Sequence, residues 1–171
     1  MSEFFDWVDH YDDVIGVTSR KDAHRLNLYH RAVHLYALGE KGGLILQKRS
    51  HTKDIDPGLW TVSCSGHVDR GETFEEAARR EMQEELGVTI EIADLYELLY
   101  STPSPGNGYE FVRSYEILHP IQPIHDDNEI EEICEIKLPQ LFQWLEREPD
   151  SFALSFRYQF PFARKKFINI T

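Results

Sequence analysis

The run Gly66-His-Val-Asp-Arg-Gly-Glu-Thr-Phe-Glu-Glu-Ala-Ala-Arg-Arg-Glu-Met-Gln-Glu-Glu-Leu-Gly-Val88 constrains the fold more than any other part of the chain. It predicts a helix over residues 73–86 with both ends marked. Thr73 supplies an N-cap oxygen, and Glu76, three residues on, completes a capping box. Gly87 suits the left-handed position just past the last turn. At about 100° per residue, Phe74, Ala78, Met82 and Leu86 form an apolar side. Glu81, Glu84 and Glu85 fall at i, i+3 and i+4, so their carboxylates share a face and repel one another. A hard divalent cation reverses that penalty. Mg²⁺ takes oxygen ligands, keeps several waters and is commonly completed by substrate phosphates. Taken alone, three such glutamates read first as a solvated acidic face. The residues around them point to chemistry.

Outside this run, 171 residues suffice for one domain with a proper core and are short for two. No apolar stretch approaches the roughly 20 residues that span a bilayer. The acidic start, with Glu3 and Asp6, does not resemble a secretory leader. Two cysteines, Cys64 and Cys134, read as reduced thiols in a cytoplasmic protein. A net charge of −12 argues against bulk nucleic-acid binding, which needs many Lys and Arg contacts. It leaves room for a small phosphorylated ligand, because one metal ion and two or three cations invert the field in a pocket.

The pattern predicts a strand opening at 7–9, another at 14–17, and a polar segment over 18–25. Strands at 32–38 and 44–49 flank the glycine-rich turn 39–43 as a hairpin. A short strand at 60–63, strand-like stretches at 89–92 and 95–100, and a strand at 109–118 follow. A helix is expected over 138–148, then an aromatic and basic stretch over 160–166. Strands scattered around two helices suggest an α/β domain with a mixed sheet and helices on its faces.

Gly66, Glu72, Arg80, Glu81, Met82, Glu84, Glu85, Gly87 and Val88 fill every specified position of G-x5-E-x7-R-E-U-x-E-E-x-G-U, with U apolar. The chain thus resembles the Nudix hydrolase superfamily. That resemblance implies a single α/β/α sandwich domain over 1–171, with the motif at 66–88, acting on a diphosphate linkage in a small nucleoside-diphosphate-type or related substrate. It implies that Glu81, Glu84 and Glu85 bind Mg²⁺ or Mn²⁺, with the Gly66 carbonyl as a further ligand. Arg80 and Glu72 would brace the loop and helix. Glu81 is the first candidate for the catalytic base and Glu110 the second, and the motif does not decide between them.

His24, His30-Arg31-Ala32, Leu44–Arg49, Lys53, Pro57-Gly58-Leu59-Trp60-Thr61 and Gly66-His67 extend the likeness. They are similar to the type-1 isopentenyl-diphosphate isomerase branch. This implies metal binding by His30, His67 and Glu110, and a diphosphate grip by Arg49 and Lys53. His24 resembles that branch's first histidine ligand but sits one residue nearer the second. His34 is given no role. Two departures argue against isomerisation. The cysteine expected immediately before Gly66 is replaced by Ser65, with Cys64 one place earlier and thus on the other face of a strand. The complete Arg-Glu-U-x-Glu-Glu core is also retained, as hydrolysis requires. A metal-dependent hydrolase leads; an isomerase with a displaced thiol and a non-catalytic ligand-sensing module stand as alternatives. Specificity is expected in the loops 102–108 and 125–132.

Overall fold

The fold is organised around one strand that is buried on both faces. Residues 3–125 and 128–170 are described by a computed structural model. In it β3 (His30–Tyr36) is buried at six of its seven positions. Alternate residues of a strand point to opposite faces, so β3 feeds two cores. Val33 and Leu35 join a cluster with Ala77, Ala78, Met82 and Leu86 of the motif helix, while Tyr36 joins Phe152, Phe156 and Phe160 on the other side.

Strand β3 lies within a mixed sheet of order β6-β3-β8-β7. It runs antiparallel to β6 (Cys64–His67) and parallel to β8 (Glu110–Ile117), and β8 is antiparallel to β7 (Leu95–Ser101). A second sheet, all antiparallel, has β4 (Leu44–Arg49) between β5 (Trp60–Thr61) and β9 (Ile130–Ile136). A separate hairpin pairs β1 (Phe4–Val8) with β2 (Val14–Ser19). Helix α1 (Arg20–Leu26) follows β2, and α2 (Phe74–Leu86) packs on β6 and β3. Helices α3 (Leu138–Arg147) and α4 (Leu154–Ala163) cover the other core. The result is an α/β sandwich with a mixed sheet. No helix among the described residues is long and apolar enough to cross a membrane.

Helix α2 forms as its caps dictate. Thr73 Oγ1 accepts the Glu76 N–H at 3.2 Å, and the Thr73 N–H donates to Glu76 Oε2 at 2.8 Å. Gly87 takes φ 63°, and its N–H bonds the carbonyl of Gln83. Met82 and Leu86 are fully buried, and truncating such a side chain costs about 2–5 kcal/mol.

The structure departs from the sequence pattern at several elements. The 32–38 and 44–49 strands meet only at the base of their turn, where Leu38 bridges Leu44 and the Ile45 N–H donates to Ala37. Beyond it they diverge into separate sheets. The polar segment 18–25 contains α1, with Ser19 as N-cap and Asn27 in the left-handed C-cap position. Residues 89–92 form no strand, and Ile92–Asp94 make a turn of 3-10 helix. The acidic end of the 125–132 loop belongs to β9, with residues 126 and 127 outside the described part. The aromatic stretch before Arg164 is the end of α4.

Candidate active site

A cavity of about 530 Å³ opens where α2, β6, β8 and the residues after β4 converge. Its acidic wall is Glu81, Glu84 and Glu85 from α2 and Glu110 from β8; its basic wall is Arg20, Arg49 and Lys53. Gly66 and His67 form the floor between them.

The strand register assembles the most compact group. Pairing of β3 with β8 sets His30 opposite Glu110, and pairing of β3 with β6 sets His67 opposite Ala32, two residues along the same face. Helix α1 brings in His24, whose ring centroid lies 5.0 Å from those of both His30 and His67. One ligand atom from each of His24, His30, His67 and Glu110 lies within 4.8 Å of all the others. Phe5 stacks on His30 and His67, at centroid distances of 5.3 and 4.6 Å, and fixes both rings.

The chemistry of this donor set fits a divalent cation. His30 Nδ1 sits 2.8 Å from the Leu28 carbonyl and donates to it, which leaves the Nε2 lone pair free. That Nε2 is buried without a hydrogen-bond partner, as is His24 Nε2; the nearest carboxylate oxygen to His30 Nε2, on Glu110, is 3.4 Å away. Burial, and then the charges of His67 and His30, lower the His24 pKa to about 4, so its imidazole is neutral and ligand-ready. Burial alone would raise Glu110, but His30 and His67 hold its carboxyl well below the usual range.

The helix glutamates do not converge in the same manner. The expectation of three free carboxylates poised on one cation meets a different arrangement. Arg80 Nη1 donates to Glu81 Oε1 at 2.6 Å and to Glu84 Oε2 at 3.2 Å. The same guanidinium grips Glu72 through Nε and Nη2, at 3.0 and 2.9 Å, and the His67 carbonyl at 2.9 Å. The i, i+3, i+4 repulsion is thus offset by an adjacent cation. Glu85 turns inward and accepts from Gln47 Nε2 at 2.8 Å. Burial, and then the charge of Glu85, push Glu81 up to about 8 in spite of Arg80. Gly66 carries no side chain because a Cβ there would sit 2.0 Å from Glu81 Cδ.

Lys53 is ion-paired with Glu129, and Arg49 Nε donates to the Ile55 carbonyl at 2.9 Å. Burial lowers the pKa of both. Arg20, which the sequence did not single out, joins them and pairs with Asp54 at 2.8 Å. Gln47 and His34 were equally unmarked, being single polar residues inside apolar strands.

Cys64 is fully buried in the core beneath α2, and burial raises its thiol pKa further from ionisation. Ser65, next along β6, lines the cavity. Cys134 packs on the core beneath α3 and α4.

Known proteins share this fold and much of this sequence. The family model described as NUDIX domain matches residues 28–156. The chain is 31% identical over 159 residues to an isopentenyl-diphosphate Delta-isomerase 2 of Photorhabdus laumondii, covering 92% of this chain and 90% of that one. It is 33% identical over 146 residues to an uncharacterized Nudix hydrolase, all7351, of Nostoc, covering 85% and 86%. The crystal structure of DR0079 from Deinococcus radiodurans superposes with a TM-score of 0.74 at 28% identity, covering 97% of this chain and all of that one.

Proposed function

The chain belongs to the NUDIX domain family, and from that premise we propose that it is a divalent-metal-dependent hydrolase cleaving a diphosphate linkage in a small substrate. One observation carries the choice of hydrolysis: among the described residues no cysteine lines the cavity, and Ser65 faces it where an isomerising thiol would stand. A serine hydroxyl is a far poorer acid than a thiol and does not replace it for proton transfer at carbon.

Two donor sets would hold metal. The three imidazoles and Glu110 suit an ion that accepts nitrogen, such as Mn²⁺ or Zn²⁺. Glu81, Glu84 and Glu85, with the Gly66 carbonyl, suit Mg²⁺ or Mn²⁺ once Arg80 yields Glu81 and Glu84 and stays on Glu72. A bound ion supplies charge neutralisation at the non-bridging oxygens. Arg49 and Lys53 orient the diphosphate from the opposite wall. Glu81 takes the proton of the attacking water as the new P–O bond forms and the bridging P–O bond breaks. Glu110, which lies against His30 and His67, serves to hold metal.

Incubation with Mg²⁺ or Mn²⁺ and a panel of nucleoside diphosphates, nucleotide sugars and prenyl diphosphates tests the reading. Release of a monophosphate product that Glu84→Gln suppresses is expected. No turnover of any of them, with Glu84→Gln indistinguishable from wild type, sinks it. The similarity to proteins named as isomerases favours one rival. Conversion of isopentenyl to dimethylallyl diphosphate, abolished by Cys64→Ala, would establish that rival.

A further inference from the structure

His34 is a buried imidazole that lines the cavity and makes no hydrogen bond among the described residues. It is 4% exposed, and its Nδ1 is buried without a hydrogen bond. Strand alternation puts it on the same face of β3 as His30. Its cross-strand neighbours are Ser65 on β6 and Ser114 on β8. It lies two residues past Ala32, which is opposite His67, and so about 7 Å farther along the strand from the histidine group.

The wall around it is polar as well. Thr61 and Ser155 line the same cavity, and with Ser65 their hydroxyls make no hydrogen bond to the described protein. Two backbone links pin Ser155 next to β5: the Ala153 N–H donates to the Trp60 carbonyl at 2.9 Å, and Trp60 bridges Phe152. Burial lowers the His34 pKa to about 4, so the ring is neutral and offers one donor and one acceptor. A hydroxyl group pairs as donor or acceptor with whichever ring nitrogen the cavity reaches. A hydrocarbon tail answers neither and would leave the imidazole sealed and unpaired, an arrangement that sites built for hydroxyl recognition reject strongly.

We propose that His34, with Thr61 and Ser155, is a specificity subsite for a hydroxyl-bearing, sugar-like group esterified to the diphosphate, and that it discriminates against prenyl diphosphates. This deepens the hydrolase reading and rests on it for the placement of the diphosphate between α2 and Arg49.

Binding is measured by calorimetry with Mn²⁺ in a Glu81→Gln background, so that no probe is consumed. The probes are ADP-ribose, UDP-glucose and dimethylallyl diphosphate; the variants are His34→Leu and His34→Gln, with folding checked by circular dichroism. His34→Leu should weaken the two hydroxylated probes by about tenfold, the worth of one sealed, unpaired polar group. It should tighten the prenyl probe, whose tail then no longer covers an unpaired imidazole, and His34→Gln should restore most of the loss for the hydroxylated probes. The probe-by-variant difference isolates the contact from adenine or uracil binding. An equal effect of His34→Leu on all three probes, no effect on any, or no binding of the hydroxylated probes overturns the subsite. Absence of turnover of the hydroxylated probes by the wild-type protein, with the expected binding pattern in the Glu81→Gln background, would instead remove the hydrolase reading and keep the subsite.

Discussion

Replacing His34 by leucine should stabilise the free protein, and more so in acid. A buried donor or acceptor without a partner costs roughly 1–3 kcal/mol, and leucine of similar volume removes it. At pH 7 His34→Leu is therefore expected to gain about 1–3 kcal/mol, or roughly 2–4 °C of Tm per kcal/mol in a chain of this size. The pH dependence has a definite sign. The folded-state pKa is depressed to about 4 from 6.5, so the unfolded chain binds the extra proton. Wild-type stability from this group is complete above pH 6.5 and is lost as pH falls toward 4. Between pH 7 and pH 5 the loss is about 2 kcal/mol in wild type and nil in His34→Leu. Urea unfolding of both proteins at the two pH values, in EDTA, gives the difference directly. The metal-site histidines and the carboxylates are common to both proteins and cancel. Parallel curves, or a variant less stable than wild type at pH 7, would refute the claim that His34 is sealed, neutral and unpaired.

Gly66→Ala should fold but lose about a hundredfold in metal-dependent turnover, because the new methyl group displaces the Glu81 carboxylate from 2.0 Å away; steady-state kinetics with Mg²⁺ and Mn²⁺ checks this. Cys64→Ala should leave turnover unchanged while costing about 1 kcal/mol in urea unfolding, since the thiol only fills the core under α2. Glu116 is fully buried on β8 and accepts the N–H groups of Ile168, Asn169 and Ile170 at 2.6, 2.6 and 3.2 Å. Glu116→Gln points a donor at those donors, so a loss of about 2–3 kcal/mol and faster proteolysis near residue 168 are expected.

The helix was legible because its determinants are local: a capping box, a terminal glycine and a 3.6-residue apolar period all lie within 73–87. The elements that escaped notice are those whose pattern is set by tertiary packing. Strand β9 reads Ile-Glu-Glu-Ile-Cys-Glu-Ile, with isoleucines three apart rather than two, and a register shift near Arg49 accommodates that spacing against β4. Helix α4 carries Pro161 and four aromatic residues, has no side-chain cap, and is buried along much of its length, so neither periodicity nor capping announces it. Helix α1 did carry a signal, Ser19 capping Asp22 and Asn27 closing the end, within a segment too short and polar to stand out. The grouping of His30, His67 and Glu110 was legible by resemblance alone; no local pattern encodes it, because it depends on the registers of β3 with β6 and β8.

Register also governs what chemistry the cavity permits. In β6 the side chains alternate, so Cys64 goes under α2 while Ser65 and His67 flank the cavity. Moving the thiol into the cavity would require a one-residue slip. That slip would carry His67 off the face shared with His30 and Glu110 and bury it against Ala78 and Met82. The pairs Ala32↔His67 and Leu35↔Cys64 hold the strand against it. A backbone that keeps the histidine group intact therefore keeps the cysteine out. Ser65→Cys is the economical way to place a thiol in the cavity, and any isomerase activity gained by that single change would be additional to the chemistry the native cavity is built for.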